Sequence, residues 1–133
     1  DDRGFVGRVT EVGSRSARVL LATDMNSRIP VTLESSRARA LMVGSNAARP
    51  RLSQWPEGVM PVDGERVVTS AEAGAFPAGL PVGVVRLSDH GAPEVELFAR
   101  LDRLDAVRLF DYGLRGILPP EAVARPEPRQ GRR

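Results

Sequence analysis

Wherever the alternation of apolar and polar side chains is regular in this chain, its period is two, the signature of short, half-buried strands. Phe5 to Val12 reads as a first strand, closed by the turn Gly13-Ser14-Arg15-Ser16. Ala17 to Thr23 follows, with Val19 and Leu21 on one face and Arg18 and Leu20 on the other. Asp24-Met25-Asn26-Ser27 is a turn, because Asp and Asn bond their own backbone and tolerate left-handed geometry. Arg28 to Leu33 continues as a strand, with Pro30 placing its N–H side at an edge or bulge. Ala38 to Val43 is a further strand, ended by Gly44-Ser45-Asn46. The stretch 49–61 is irregular, with Leu52 and Trp55 as its buried points. Glu65 to Thr69 and Pro81 to Leu87 are strands around a corner at 73–79, and Asp89-His90-Gly91 is a hairpin turn. Glu94 to Arg100 alternates cleanly, with Val95, Leu97 and Ala99 on one side. Val107 and Leu109 mark a last strand, and the stretch from Ala99 to Val107 is the one place for a short helical turn.

Glycine and proline recur too often for long helices. The pattern therefore predicts an all-β chain of about nine to eleven short strands, suited to small barrels or a sandwich. The chain also matches itself at an offset of 76 positions: Val6-Gly7 falls on Val82-Gly83, Val9 on Val85, Val19 on Val95, Leu21 on Leu97, Val31 on Val107 and Leu33 on Leu109. That periodicity predicts two related barrels, each opening with a Val-Gly-x-Val strand and hairpin. The expected division is a first barrel region over 1–50, a second over 51–111, with strands open to exchange between them, and an extended tail over 112–133. Pro119-Pro120, Pro126 and Pro128 with clustered arginines give that tail no means of burying a core.

Composition sharpens this picture. Of 133 residues, 41% are hydrophobic but only 5% aromatic, so Val and Leu must fill the interior. With no cysteine there is neither a disulfide framework nor a thiolate metal site. All 19 basic residues are arginine, nearly balanced by 17 acidic ones at a formal net charge of +2. No run reaches the ~20 apolar residues that span a bilayer. The absence of an initiator Met is read as the mark of a piece excised from a longer protein.

Candidate chemistry is sparse. The single histidine, His90, lies in a turn. A serine triad needs nucleophile, base and orienting carboxylate within reach of one another. Ser70 has neither a Gly-x-Ser-x-Gly elbow nor a nearby base in sequence. Glu94 and Glu96 with Arg100 form a surface row, and Asp102 and Asp105 flank Arg103 at a turn. No metal cluster and no phosphate-binding glycine loop is present, and no cofactor is expected. Stacking on nucleic acid needs aromatics interleaved with basic residues, whereas Phe5, Trp55, Phe76, Phe98, Phe110 and Tyr112 are scattered. Two alternatives stay open at this stage: a divergent serine-protease-like barrel enzyme and a nucleic-acid-binding β-barrel. Phe98 interrupts the polar face of its strand, and Phe76 closes the corner; both are candidate partner-binding residues. Gly64, Ser70, Pro77, Gly79, Pro81 and Gly83 form a structural turn motif.

Several motifs together resemble the periplasmic domain of MreC, the bacterial cell-shape family. They are Val6-Gly7-Arg8-Val9, the run Ser16 to Asp24, Ser27-Arg28-Ile29-Pro30-Val31, Gly64 to Ser70, and Phe76 to Val85. The resemblance spans about residues 4–110. It implies two small β-barrels of the chymotrypsin type without the catalytic residues. It further implies a non-enzymatic scaffold in the periplasm, held in the inner membrane by an N-terminal helix and coiled coil. Such a scaffold binds and activates the penicillin-binding transpeptidase that builds lateral-wall peptidoglycan, associates with MreD, RodZ and (indirectly) MreB, and self-associates. Glu65 stands where that family usually has Asp, and Ala71-Glu72 where a glycine usually follows Thr69-Ser70. The tail past Tyr112 is not a general family feature.

Overall fold

The strands predicted from alternation form because apolar residues recur at alternate positions, as in Ile29, Val31 and Leu33 or Ala40 and Met42, and the turns between them carry the right chemistry. The computed structural model describes residues 4–71 and 77–103. It contains β1 (Gly7–Val12), β2 (Ala17–Leu21), β3 (Arg28–Leu33), β4 (Ala38–Val43), β5 (Arg51–Ser53), β6 (Arg66–Thr69), β7 (Pro81–Leu87), β8 (Pro93–Leu97) and a 3-10 turn at Leu101–Arg103. Eight strands thus stand among the described residues; the strand expected at Val107 and Leu109, the corner residues 72–76 and the tail lie outside them. The stretch read as irregular contributes β5, too short to show an alternating pattern of its own.

Six strands close into one antiparallel barrel in the order β3-β4-β5-β8-β7-β6, with β6 pairing back onto β3. The barrel draws strands from both sides of residue 50. β1 and β2 form a separate two-stranded sheet.

The burial pattern of β3 shows why the barrel closes. Ile29, Val31 and Leu33 are buried at alternate positions while Arg28 is exposed. Ala40 and Met42 on β4, Leu52 on β5, Val67 on β6, Val85 on β7 and Val95 on β8 join them. Side chains of this size fill a six-stranded interior without leaving a lumen. Phe5 and Trp55 pack against this cluster from outside the barrel's strands.

Turn chemistry holds the connections. The Asp24 carboxylate accepts the Asn26 N–H at 2.8 Å, and the Asn46 side-chain oxygen accepts the Met25 N–H at 2.9 Å. The hairpin between β7 and β8 turns at Gly91, φ 80°, with Ser88 and Ala92 bonded across it.

Leu33 is fully buried on the strand that links β4 to β6. Leu33→Ala is expected to lower stability by about 2–5 kcal/mol, the range for a core leucine that leaves a cavity. Urea denaturation followed by circular dichroism measures it.

Candidate protein-interaction surface

The corner between β6 and β7 is built around Thr69, a residue with no exposed surface. Its hydroxyl donates to the Pro77 carbonyl at 2.7 Å and accepts the Leu80 N–H at 2.9 Å. Its N–H donates to the Leu80 carbonyl, and its carbonyl accepts the Gly79 N–H. Gly79 can close this loop because its φ of 92° is open to glycine and strained for other residues. The neighbouring Ser70 is buried, and its N–H donates to the Pro30 carbonyl at 3.0 Å. Across the corner, the Pro81 carbonyl accepts the Phe5 N–H at 2.9 Å, linking the segment before β1 to the start of β7. Gly64 sits at the other end of β6, at φ 91°, and donates its N–H to Val85. The turn-motif residues read from the sequence thus fall at the two ends of β6 and along the start of β7.

Glu65 is the second organiser. Its carboxylate is buried, accepting the Ser35 N–H at 2.9 Å on one oxygen and the Val62 N–H at 2.7 Å on the other. Two loops are thereby fastened to the start of β6. This is the position where a shorter Asp was expected, and the Glu side chain reaches both donors. Thr69 and Glu65 were not marked as organisers by sequence reasoning; the only signal was their polar character on either side of the Arg66-Val67-Val68 run.

Phe98 lies just past β8 and is half-buried. The Arg66 guanidinium stands 5.6 Å from its ring centroid, a cation–π distance. Arg66 also faces Glu34 at 3.5 Å. The ring therefore neither enters the barrel core nor stands free, but forms part of an outer surface shared with β6 and the segment near Gly4. Phe76, the other candidate, lies outside the described residues. A second exposed apolar group, Val62 and Leu87, sits where the Leu87 N–H donates to the Asp63 carboxylate at 3.1 Å.

The residues tested for catalysis do not converge. Ser70 lies beside the start of β7 and His90 beyond its end, so roughly 20 Å of strand separates them at ~3.3 Å per residue. His90 is exposed in its turn. Among the described residues no three His, Asp or Glu side chains gather in a metal-binding arrangement. The groove at the β1–β2 tip, about 440 Å³ and lined by Glu11, Val12, Gly13, Ser16, Ala17 and Arg18, is open to solvent.

A closed barrel whose interior is filled by aliphatic side chains, with a hydrogen-bonded corner and an attached hairpin, defines a small β-barrel module. Comparison with known proteins says which one. Residues 1–111 match the model of the rod shape-determining protein MreC, barrel core. The chain is 43% identical over 111 residues to the cell shape-determining protein MreC of Caulobacter vibrioides, covering 83% of this chain and 32% of that protein. To its counterpart in Cereibacter sphaeroides it is 44% identical, covering 83% of this chain and 37% of the relative. The crystal structure of MreC from Pseudomonas aeruginosa superposes with a TM-score of 0.66 at 34% identity, over 77% of this chain and 71% of that one. A structure described as the major periplasmic domain from the cell shape-determining filament MreC shares the fold, at a TM-score of 0.64 and 24% identity over 77% of this chain and 69% of that one. This chain belongs to the MreC family of rod shape-determining proteins. It spans about a third of the length of these two curated relatives.

Thr69→Val removes both hydroxyl bonds of the corner while keeping its shape. It is expected to cost about 1–3 kcal/mol, because the half-buried Leu80 N–H loses its acceptor. Glu65→Ala strands two loop N–H groups and is expected to cost at least as much. Thermal unfolding of each variant beside the parent chain measures both.

Proposed function

We propose that this chain is the barrel module of a non-enzymatic periplasmic scaffold for lateral cell-wall growth. In the full-length protein it is held at the inner membrane by an N-terminal helix. It binds and activates the penicillin-binding transpeptidase of the elongation machinery and self-associates. MreD and RodZ are its membrane neighbours, and MreB is reached indirectly. The observation that carries this reading is the match of residues 1–111 to the MreC barrel core. The description of a fold relative as part of a periplasmic filament supports the compartment and the self-association. The fully buried inward side chains Val31, Leu33, Val67, Val85 and Val95 support contact through outer surfaces. The hairpin β1–β2 belongs, on this reading, to a second barrel of the full-length protein.

Phe98 and Phe76 are the proposed partner contacts. Purified transpeptidase immobilised on a sensor surface should retain the parent chain, and Phe98→Ser should weaken that affinity about tenfold, equivalent to about 1.4 kcal/mol. Phe76→Glu should do the same with unchanged β content in circular dichroism. Parent-like affinity in both folded variants would refute these two contacts, and failure of the parent chain to bind would refute the transpeptidase as its direct partner.

A further inference from the structure

Exposed apolar surface gathers at one end of the barrel. Three of the five large apolar side chains exposed among the described residues stand there: Met60 at 74%, Val62 at 54% and Leu87 at 45%. Met60 and Val62 lie on either side of the buried Pro61, in the loop that leads into β6, and Leu87 ends β7. That loop is fastened with these side chains outward. The Val62 N–H donates to the Glu65 carboxylate at 2.7 Å, and the Val62 carbonyl accepts the Glu65 N–H at 3.1 Å. The Leu87 N–H donates to the Asp63 carboxylate at 3.1 Å, which sets the loop beside the end of β7.

Charge at this end has one sign. Glu57 precedes Met60 in the loop, Asp63 follows Val62, and Asp89 follows Leu87 in the hairpin turn. None of these three carboxylates forms an ion pair among the described residues, whereas Glu11, Glu34, Glu96 and Asp102 each face an arginine. Arg86, next to Leu87, is taken by Glu96 at 2.9 Å. An apolar surface with a carboxylate rim fits an aliphatic segment that carries cations. The same chain supplies one. Residues 112–133 hold five arginines against two glutamates, interleaved with Leu114, Ile117, Leu118 and Val123. Of the chain's formal +2, that segment carries +3 and residues 1–111 carry −1.

We infer that this end of the barrel is the docking surface for residues 114–129 of the same chain. Their aliphatic side chains lie on Met60, Val62 and Leu87, and their arginines meet Asp63 and Asp89. Reach allows it. β8 leads away from the hairpin, and Arg103 lies no more than about 33 Å of extended chain from Pro93. Residues 104–114 can span about 36 Å, enough to bring Leu114 back to that end. Pro119-Pro120, Pro126 and Pro128 narrow the backbone's choices beforehand, which lowers the entropy lost on docking. The same end of a second copy is the wrong occupant, because two carboxylate rims would face each other. An anionic lipid surface fails for the same reason. The docking stands apart from the proposed transpeptidase contact at Phe98, which lies past the other end of β8.

The chain has no cysteine, so Ala124→Cys carries a nitroxide label at a single site. Paramagnetic broadening of amide signals is then read in the labelled chain of residues 1–133, against the same chain with the nitroxide reduced. The expected result is loss of most intensity at Val62, Asp63 and Leu87, with Thr10 and Arg18 on the separate β1–β2 sheet unaffected. Arg125→Glu combined with Arg129→Glu should restore the lost intensity, as should about 1 M salt, where screening acts within about 3 Å. Asp63→Asn keeps the acceptor for Leu87 while removing the charge, and should restore part of it. Full intensity at Val62 and Leu87 in a labelled chain whose spectrum otherwise matches the parent overturns the docking. Broadening that survives the double charge reversal overturns the pairing of arginines with this rim. Equal broadening of an isotope-enriched, label-free chain mixed with labelled, unenriched chain shows the segment coming from a second copy and overturns the assignment within one chain.

Discussion

Everything in this fold depends on β6 returning to pair with β3. That single pairing turns an open six-stranded sheet into a ring, removes two sheet edges, and encloses Val31, Leu33, Val67, Val85 and Val95 without exposure. Closure needs a strand of only four residues to hold its place between β3 and β7, so both of its ends must be fixed. Glu65 fixes one end by taking two loop N–H groups, and Thr69 fixes the other by bonding Pro77, Gly79 and Leu80. The polar groups at this corner therefore serve the barrel's geometry. Surface ion pairs such as Arg86 with Glu96, half-exposed at 2.9 Å, add little beside them.

Filling the barrel with branched aliphatics has a functional consequence. Inward side chains take up the barrel's interior, which leaves the outer face and the strand edges as the surfaces open to solvent. Phe98 shows how such a surface is made: a ring just past the end of a strand, flanked by an arginine that also faces a glutamate. Arginine suits this place, since its planar group packs on a ring and keeps its charge toward water.

Much of this was legible from residue order. Alternation at β3 and β4, and the outline of β7, could be read directly, because each has one face in the core and one in solvent. The 76-residue echo was visible as matching Val, Gly and Leu positions, although the matching register, Gly7 with Leu21 and Gly83 with Leu97, appears only in three dimensions. β5 escaped because three residues carry no period. The roles of Thr69 and Glu65 escaped because a hydroxyl bonded to a carbonyl eight residues on, or a carboxylate reaching a loop thirty residues back, leaves no local pattern. The order β5-β8-β7-β6 is likewise a product of closure, which propensity along the chain does not encode.

The central claim is that this member of the MreC family works through the outside of a solid barrel. Nuclear magnetic resonance shift mapping of the chain during titration with purified transpeptidase tests it most directly. The account predicts perturbations on outward positions such as Arg66, Glu96 and Phe98, with the methyl groups of Val31, Leu33 and Val95 unmoved. Shifts concentrated on those inward methyls, with the outer face silent, would contradict it.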